Sequence, residues 1–307
     1  MSFRFNDKST HPVSRRTLLG GTCLWLGAAA GMSSDPAAAA EVTVRAGLVT
    51  DIHYADADSR GSRFYRESIG KLTEAAEKLS ALRPDLVIEL GDLIDSATGV
   101  DADGELAFLR KIDGVLKRVS PNRHCVLGNH CLSTVPRDRF LGAVEQASGH
   151  RSFDRGGFHF VLLDACHRKD GTPYSAGNFH WTDTEIPAAQ QEWLSADLQA
   201  TRLPTVVFVH QRLDSPAGSP HRIASADAVR KLLQRDGRVR AVFQGHSHQN
   251  ELNRIEGIDY VTLAAMVEGS GAENSGYSLL EGRSDGSLLL RGFRKHERHP
   301  FARAAAG

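Results

Sequence analysis

The chain has 307 residues, 41% of them hydrophobic and 24% charged, which suits a single large core and argues against wholesale disorder. Its 37 basic and 37 acidic side chains cancel, so no global positive field argues for a nucleic-acid groove, and a nuclease acting on DNA is disfavoured. Fourteen histidines ask for an explanation, because histidine is the commonest metal ligand.

The first 40 residues read as a leader. In "SRRTLLGGTCLWLGAAAG", Arg15 and Arg16 precede a short, weakly apolar stretch, and Pro36 and the run Ala37 to Ala40 supply a small-residue cleavage region. The arginine pair resembles a twin-arginine signal, read by the export machinery and not a stable membrane anchor. The apolar run Leu18 to Ala30 is shorter than the ~20 residues a bilayer requires. Gly21 and Thr22 make a poor lipid-attachment context for Cys23. Export to the periplasm or exterior is therefore expected. Residues 41–307 are expected to form one domain, with Cys125, Cys131 and Cys166 too few and too odd in number for a disulfide framework.

Beyond the leader, strands and helices alternate. "VTVRAGLVTD" predicts a strand. Phe64, Ile69, Leu72, Ala76 and Leu79 fall near helical spacing, and Pro84 ends that helix. "DLVIELGD" is a continuous apolar run, the mark of a strand buried on both faces. A helix over 105–119, a strand at "HCVLGNH", a helix over 137–147 and a strand at "FHFVLLD" follow. Residues 165–186 are long, polar and aromatic-bearing; such loops in compact domains are usually functional. His167, His180 and Trp181 on it are candidates for a site rim. Pro187 opens the next helix, "TVVFVHQ" is a strand, "ADAVRKLLQRD" a helix and "RVRAVFQGH" a strand. The last third, "IDYVTLAAM", "YSLLEG" and "SLLLRGF", lacks long helices and predicts antiparallel strands.

Each of five strands delivers polar groups just past its last apolar residue. The groups are Asp51 and His53, Asp92 and Asp95, Asn129 and His130, His210, and His246 and His248. Ligands of α/β sheets bind beyond the carboxyl ends of strands, so five such endings point to one site. The donors Asp51, His53, Asp92, Asn129, His210, His246 and His248 are all nitrogen or oxygen. That set suits Mn, Fe or Zn, with Mg possible, and it is too large for one tetrahedral ion. Two divalent or trivalent ions sharing a carboxylate fit the number.

The blocks D-x-H, G-D-x-x-D, G-N-H, a lone H after a strand, and G-H-x-H occur in that order. They resemble the calcineurin-like metallophosphoesterase signature over about residues 46 to 250. The resemblance implies an α/β fold, a four-layer α/β/β/α sandwich of two mixed β-sheets flanked by helices. It implies that Asp51, His53 and His248 hold one ion, that Asp92 bridges, and that Asn129, His210 and His246 hold the other. His130 would face the substrate and protonate the leaving group, with Asp95 orienting it; the alternative for Asp95 is a helix N-cap. The implied reaction is hydrolysis of a phosphodiester or pyrophosphate bond by metal-activated hydroxide. Where relatives often carry an acid after G-N-H this chain has Cys131, expected to be a packed, neutral thiol.

The stretch "DIHYADADSRGSRFYRES" resembles the corresponding region of the manganese-dependent ADP-ribose/CDP-alcohol diphosphatase branch, as does "VEGSGAENSGYSLL". The partner this implies is a small-molecule phosphate ester or nucleotide derivative. Tyr54, Arg63, Tyr65, Arg66 and Phe179 are the candidate contacts: the arginines to clamp a second phosphate, Tyr65 or Phe179 to stack on a base. Helix packing is the alternative for Tyr65, and a solvated face for the arginines. Cyclic-nucleotide phosphodiesterases and phosphomonoesterases share the metal blocks. A non-catalytic scaffold of this fold usually loses ligands or the substrate-facing histidine, and none is lost here.

Overall fold

The structure is a computed structural model and describes residues 40–235 and 237–301; the expected leader, with Arg15, Arg16 and Cys23, lies outside them. Twelve strands and five α-helices are found among the described residues. In chain order they begin with β1 (Val42–Val49), α1 (Ser68–Ala81), β2 (Leu86–Glu89), α2 (Ala102–Val119), β3 (Arg123–Cys125) and α3 (Arg137–Ala143). Next come β4 (Arg151–Arg155), β5 (Phe158–Leu162), α4 (Ala188–Ala200), β6 (Thr205–Phe208), α5 (Ala226–Gln234) and β7 (Val239–Gln244). The chain ends with β8 (Glu251–Ile255), β9 (Ile258–Thr262), β10 (Gly276–Arg283), β11 (Leu288–Arg294) and β12 (His299–Pro300).

Two mixed sheets result, one in the order β12-β11-β10-β1-β2-β3 and the other β4-β5-β6-β7-β9-β8. Side chains alternate across a strand, and here both faces of the central strands are apolar. Val44, Ala46 and Leu48 of β1 meet Phe158, Phe160, Phe208 and Phe243 of the other sheet in one buried cluster. On the outer face of the first sheet, Val49 and Val87 pack with Leu72, Leu79, Leu109 and Leu116 of α1 and α2. On the outer face of the second, Val161, Val207 and Val242 pack with Leu194, Leu198, Val229 and Leu233 of α4 and α5. The layers are therefore helix, sheet, sheet, helix, as the resemblance implied.

The periodic core elements form where expected, with differences at edges and ends. The polar strands β4 ("RSFDR") and β8 ("ELNRI") were not foreseen, because an edge strand needs little apolar pattern. The last third is not wholly antiparallel: β9 runs parallel to β7 and antiparallel only to β8, whereas β10 pairs antiparallel with β1 and β11. The parallel order β1-β2-β3 in one sheet and β5-β6-β7-β9 in the other puts the ligand-bearing carboxyl ends on one rim. No described helix is long and apolar enough to cross a membrane.

Far along the second sheet, His159 lies between two carboxylates, Nδ1 2.6 Å from Asp154 and Nε2 2.8 Å from Asp197. Burial pulls this imidazole down, but the two carboxylates outweigh it and raise its pKa. A raised histidine stabilises the fold fully below its unfolded value and loses that contribution as pH rises through the folded one. His159→Asn should therefore lower stability by about 1 kcal/mol at pH 5.5, discounted for the exposed Asp154, and by less at pH 9. Urea unfolding at the two pH values reads this; an equal loss at both would contradict the charge assignment.

Candidate metal centre

Of the seven expected ligands, five have left-handed backbone: Asp51 (φ 49°), His53 (φ 45°), Asp92 (φ 61°), His246 (φ 69°) and His248 (φ 62°). Each such residue costs on the order of 1–3 kcal/mol and persists only where its surroundings hold it. Hydrogen bonds do so: Asp51 N donates to Gly91 O at 3.0 Å, and His53 N to Asp92 O at 2.8 Å. The loops after β1 and β2 are thus zipped together beyond their strands, and both turn their polar side chains inward.

Gly128 and Gly245 make the close approach possible. A Cβ on Gly128 would fall 2.2 Å from Asp92 N and Oδ1, and one on Gly245 would fall 2.3 Å from Thr50 Oγ1 and 2.4 Å from Asp51 Oδ2. Each glycine precedes a ligand in its own loop and lets a ligand from another loop pass against the backbone.

The donors fall into two groups whose atoms lie within 4.8 Å of one another, Asp51, His53 and His248, and Asp92, His210 and His246; a third group of the same compactness joins His53 and Asp92 to His130. Asp92 joins them, its Oδ2 3.0 Å from His210 Nε2 and 3.5 Å from His53 Nε2. His53 and His248 face each other nitrogen to nitrogen at 3.1 Å. Asn129 Oδ1 and His246 Nε2 are buried without a hydrogen-bond partner, and His210 Nε2 meets only the Asp92 carboxylate. A buried orphan acceptor ordinarily costs about 1–3 kcal/mol, so two of them in this group are hard to account for without a cation. The residues present thus fit a metal pair.

Orienting contacts support the donors. His210 Nδ1 donates to Leu90 O at 2.9 Å, which presents Nε2 to Asp92. Thr50 Oγ1 donates to Asp51 Oδ2 at 2.6 Å, and His246 N lies 3.1 Å from the same oxygen. Burial pushes the Asp51 carboxyl up, but hydrogen bonds from His248 and His53 prevail and hold it well below the ordinary range. Asp92 is likewise lowered: burial opposes ionisation, and the charges of His210 and His130 overcome it.

His130 stands beside the donors, its ring 4.6 Å from that of His53. Asp95 accepts from both rings, Oδ1 2.9 Å from His130 Nδ1 and Oδ2 3.0 Å from His53 Nδ1. It therefore does more than expected, orienting a ligand and the substrate-facing histidine together. It caps no helix; the cap of α2 is Asp101. Burial lowers the His130 pKa, but the Asp92 charge and the Asp95 hydrogen bond reverse this and raise it. Cys131 is buried, its thiol pushed well up by burial and accepting from Leu93 N at 3.3 Å, which is the packed, neutral role expected.

The five candidate substrate residues separate. Arg63 lines the cavity over the donors, 3.6 Å from Asp95 and 3.8 Å from Glu268. Arg66 lines an adjoining recess but is exposed and paired with Asp56 and Asp58. Tyr54 does not reach the cleft: its ring packs edge-on against Phe108, and its hydroxyl accepts from Lys111 at 2.6 Å. It follows the inward-facing His53, and alternation turns it to the helical layer. Tyr65 is buried with Ala55, Ala265 and Val267, and it also lines the adjoining recess. Phe179 stacks on Tyr174 at 3.8 Å against the core, so it is packing and not a platform. Of the rim candidates, Trp181 lines the cavity, His180 bonds Thr182 on the surface, and His167 is half-buried near Asp164.

Two residues were not foreseen. His221 lines the cavity, its ring 5.1 Å from His246. Glu268 accepts from His248 Nδ1 at 2.6 Å, and this hydrogen bond lowers its own pKa to about 2. The Glu268 segment is clamped by buried Lys71, whose Nζ donates to Met266 O at 2.9 Å and to the next three carbonyls. Glu268→Gln should weaken metal binding by about 10- to 100-fold, as losses behind a ligating histidine do. Metal titration followed by calorimetry measures it; unchanged affinity would make Glu268 a bystander.

The family model for calcineurin-like phosphoesterases matches residues 44–250. A manganese-dependent ADP-ribose/CDP-alcohol diphosphatase of Xenopus tropicalis is 32% identical over 121 residues, 36% of this chain. That match spans 35% of the frog protein, so this chain aligns with about a third of it. The serine/threonine-protein phosphatase CPPED1 of Mus musculus is 26% identical over 230 residues, 72% of each chain. A dimetal phosphatase from Danio rerio shares the fold, with a TM-score of 0.72 at 21% identity over 85% of this chain and 99% of that one.

Proposed function

Because the chain belongs to the calcineurin-like phosphoesterase family, we propose that it is a metal-dependent hydrolase that cleaves a phosphodiester or pyrophosphate bond with the help of two divalent ions. Asp51, His53 and His248 would hold one ion and Asn129, His210 and His246 the other, with Asp92 serving both. The observation that carries this reading is the pair of donor groups joined at Asp92, with the buried Asn129 Oδ1 and His246 Nε2 left unpartnered. When bound, such ions neutralise phosphoryl oxygens and supply hydroxide near neutral pH.

The chain's own part begins with His130. Asp95 fixes its Nδ1 as a donor, so Nε2 is the atom available to carry a proton to the substrate. It gives that proton to the departing oxygen, which otherwise leaves as a costly alkoxide or phosphate anion. Arg63, on the same side, meets a second phosphate or the leaving group. Manganese is the favoured ion, because the donors are all nitrogen and oxygen and the frog relative is named manganese-dependent; iron and zinc fit the same set.

The favoured substrate class is a nucleoside diphosphate derivative, the class named for that relative, with a cyclic nucleotide second and a phosphomonoester third. The reading includes export of the folded chain by the twin-arginine route. Arg15→Lys with Arg16→Lys would then keep it in the cytoplasm, and continued export would refute that route. The reaction is tested by loading the mature chain with Mn, Fe or Zn and resolving products from ADP-ribose, a CDP-alcohol, a cyclic nucleotide, a simple diester and a monoester. Cleavage of no P–O bond with any metal would refute it.

A further inference from the structure

The cavity over the donors has a volume of about 390 Å³ and shares lining residues with two others. At Arg63 and His130 it meets a recess of about 550 Å³. At His221 it meets a second, of about 520 Å³, lined by Arg212, Ser219, Ser247 and Gln249. The metal donors therefore sit between two spaces, and His130 belongs to the first. A leaving group protonated by His130 lies on that side, and whatever remains on the phosphorus extends toward His221.

Trp181 stands there. Among the described residues it and Leu252 are the exposed large hydrophobic side chains, Trp181 being 37% exposed. Its indole lies 5.5 Å from His221 and 5.6 Å from His246, tilted to them by 43° and 59°, and His180 stacks on it with ring centres 6.2 Å apart. The loop beneath is rigid: Asp183 N donates to His180 O at 2.9 Å, and Tyr174 Oη to Asp183 O at 2.7 Å. His221 is fixed as well, because its carbonyl accepts from Arg212 N at 3.1 Å. Its Nδ1 is buried with no hydrogen-bond partner. A partly exposed aromatic on the wall of a polar cavity suits a flat ligand that can stack on it.

We propose that Trp181, with His221 beside it, forms the specificity wall of the site, stacking on a planar heterocycle carried by the phosphoryl half that stays behind. This rests on the phosphoesterase reading above and assigns the ring side of its substrate. Of the aromatics expected in that role, Phe179 is taken up by packing, and Tyr65 lines the recess on the His130 side.

Two p-nitrophenyl esters with the same leaving group test it, one of thymidine 5′-monophosphate and one of methyl phosphate. With the Mn-loaded full chain, Trp181→Ala should raise KM about ten-fold for the thymidine ester and less than three-fold for the methyl ester. The kcat values should change little, and Trp181→Phe should restore most of the loss. A second arm reads binding by tryptophan fluorescence, with thymidine 5′-monophosphate as probe and methyl phosphate as control. The nucleotide should quench the wild type and Trp193→Phe but not Trp181→Phe. Equal changes on the two esters, or undiminished quenching in Trp181→Phe, would overturn the assignment. If the wild type hydrolysed neither ester, the phosphodiester half of that reading would fail, while the fluorescence arm would still decide the role of Trp181.

Discussion

Asp92→Asn is expected to leave a folded chain that cannot hold its metal pair and turns over on the order of 10³–10⁴ times more slowly. Asparagine keeps the shape, and its oxygen can still accept from His130 N, as Asp92 Oδ1 does at 2.8 Å. It loses the charge that lies between His210 and His53 and joins the two donor groups. Two cations a few ångströms apart repel strongly, and a bridging carboxylate is what makes their approach tolerable. Metal analysis of the purified variant should show one ion or none. Added Mn should raise the melting temperature of the wild type and do so far less in the variant, because only a bound ion stabilises the native state. Full metal content with full activity would remove Asp92 from the bridge.

His130→Ala is the second large effect, and its signature is the reverse. Turnover should fall by about 10²- to 10⁴-fold, the usual worth of a positioned general acid, while metal content stays at the wild-type level. The loss should be smallest for a nitrophenolate leaving group, which needs no proton, and largest for an alcohol. Asp95→Asn supplies the comparison: because Asp95 holds His53 as well as His130, it should cost both turnover and metal. If His130→Ala lost metal in proportion to activity, His130 would be a ligand. Its place in a third donor group, with His53 and Asp92, makes that the alternative to exclude.

Much of this centre is legible in the sequence because its ligands follow apolar strands, and an apolar strand is the feature a sequence shows best. "LVIELGD" and "AVFQGHSH" each announce a buried strand and the groups at its end. The same criterion reaches Glu268, which follows the apolar run from Leu263 to Val267, although its partner His248 lies twenty residues earlier and that pairing leaves no local trace. His221 follows no strand, and only folding brings its loop to His246. The substrate contacts are where residue type misleads. Tyr54, Tyr65 and Phe179 have the chemistry of binding residues, but aromatic rings also fill cores, and the tertiary arrangement decides between the two uses. The strands β4 and β8 were hidden for the opposite reason, since a polar edge strand is held by backbone pairing and carries little pattern of its own.

The most direct test of the account is a crystal structure of the Mn-loaded chain with anomalous scattering from the metal. Two peaks ~3.5–4 Å apart are predicted, with Asp92 between them, Asp51, His53 and His248 around one, and Asn129, His210 and His246 around the other. A single peak, or two peaks that leave Asn129 Oδ1 and His246 Nε2 unbound, would contradict it.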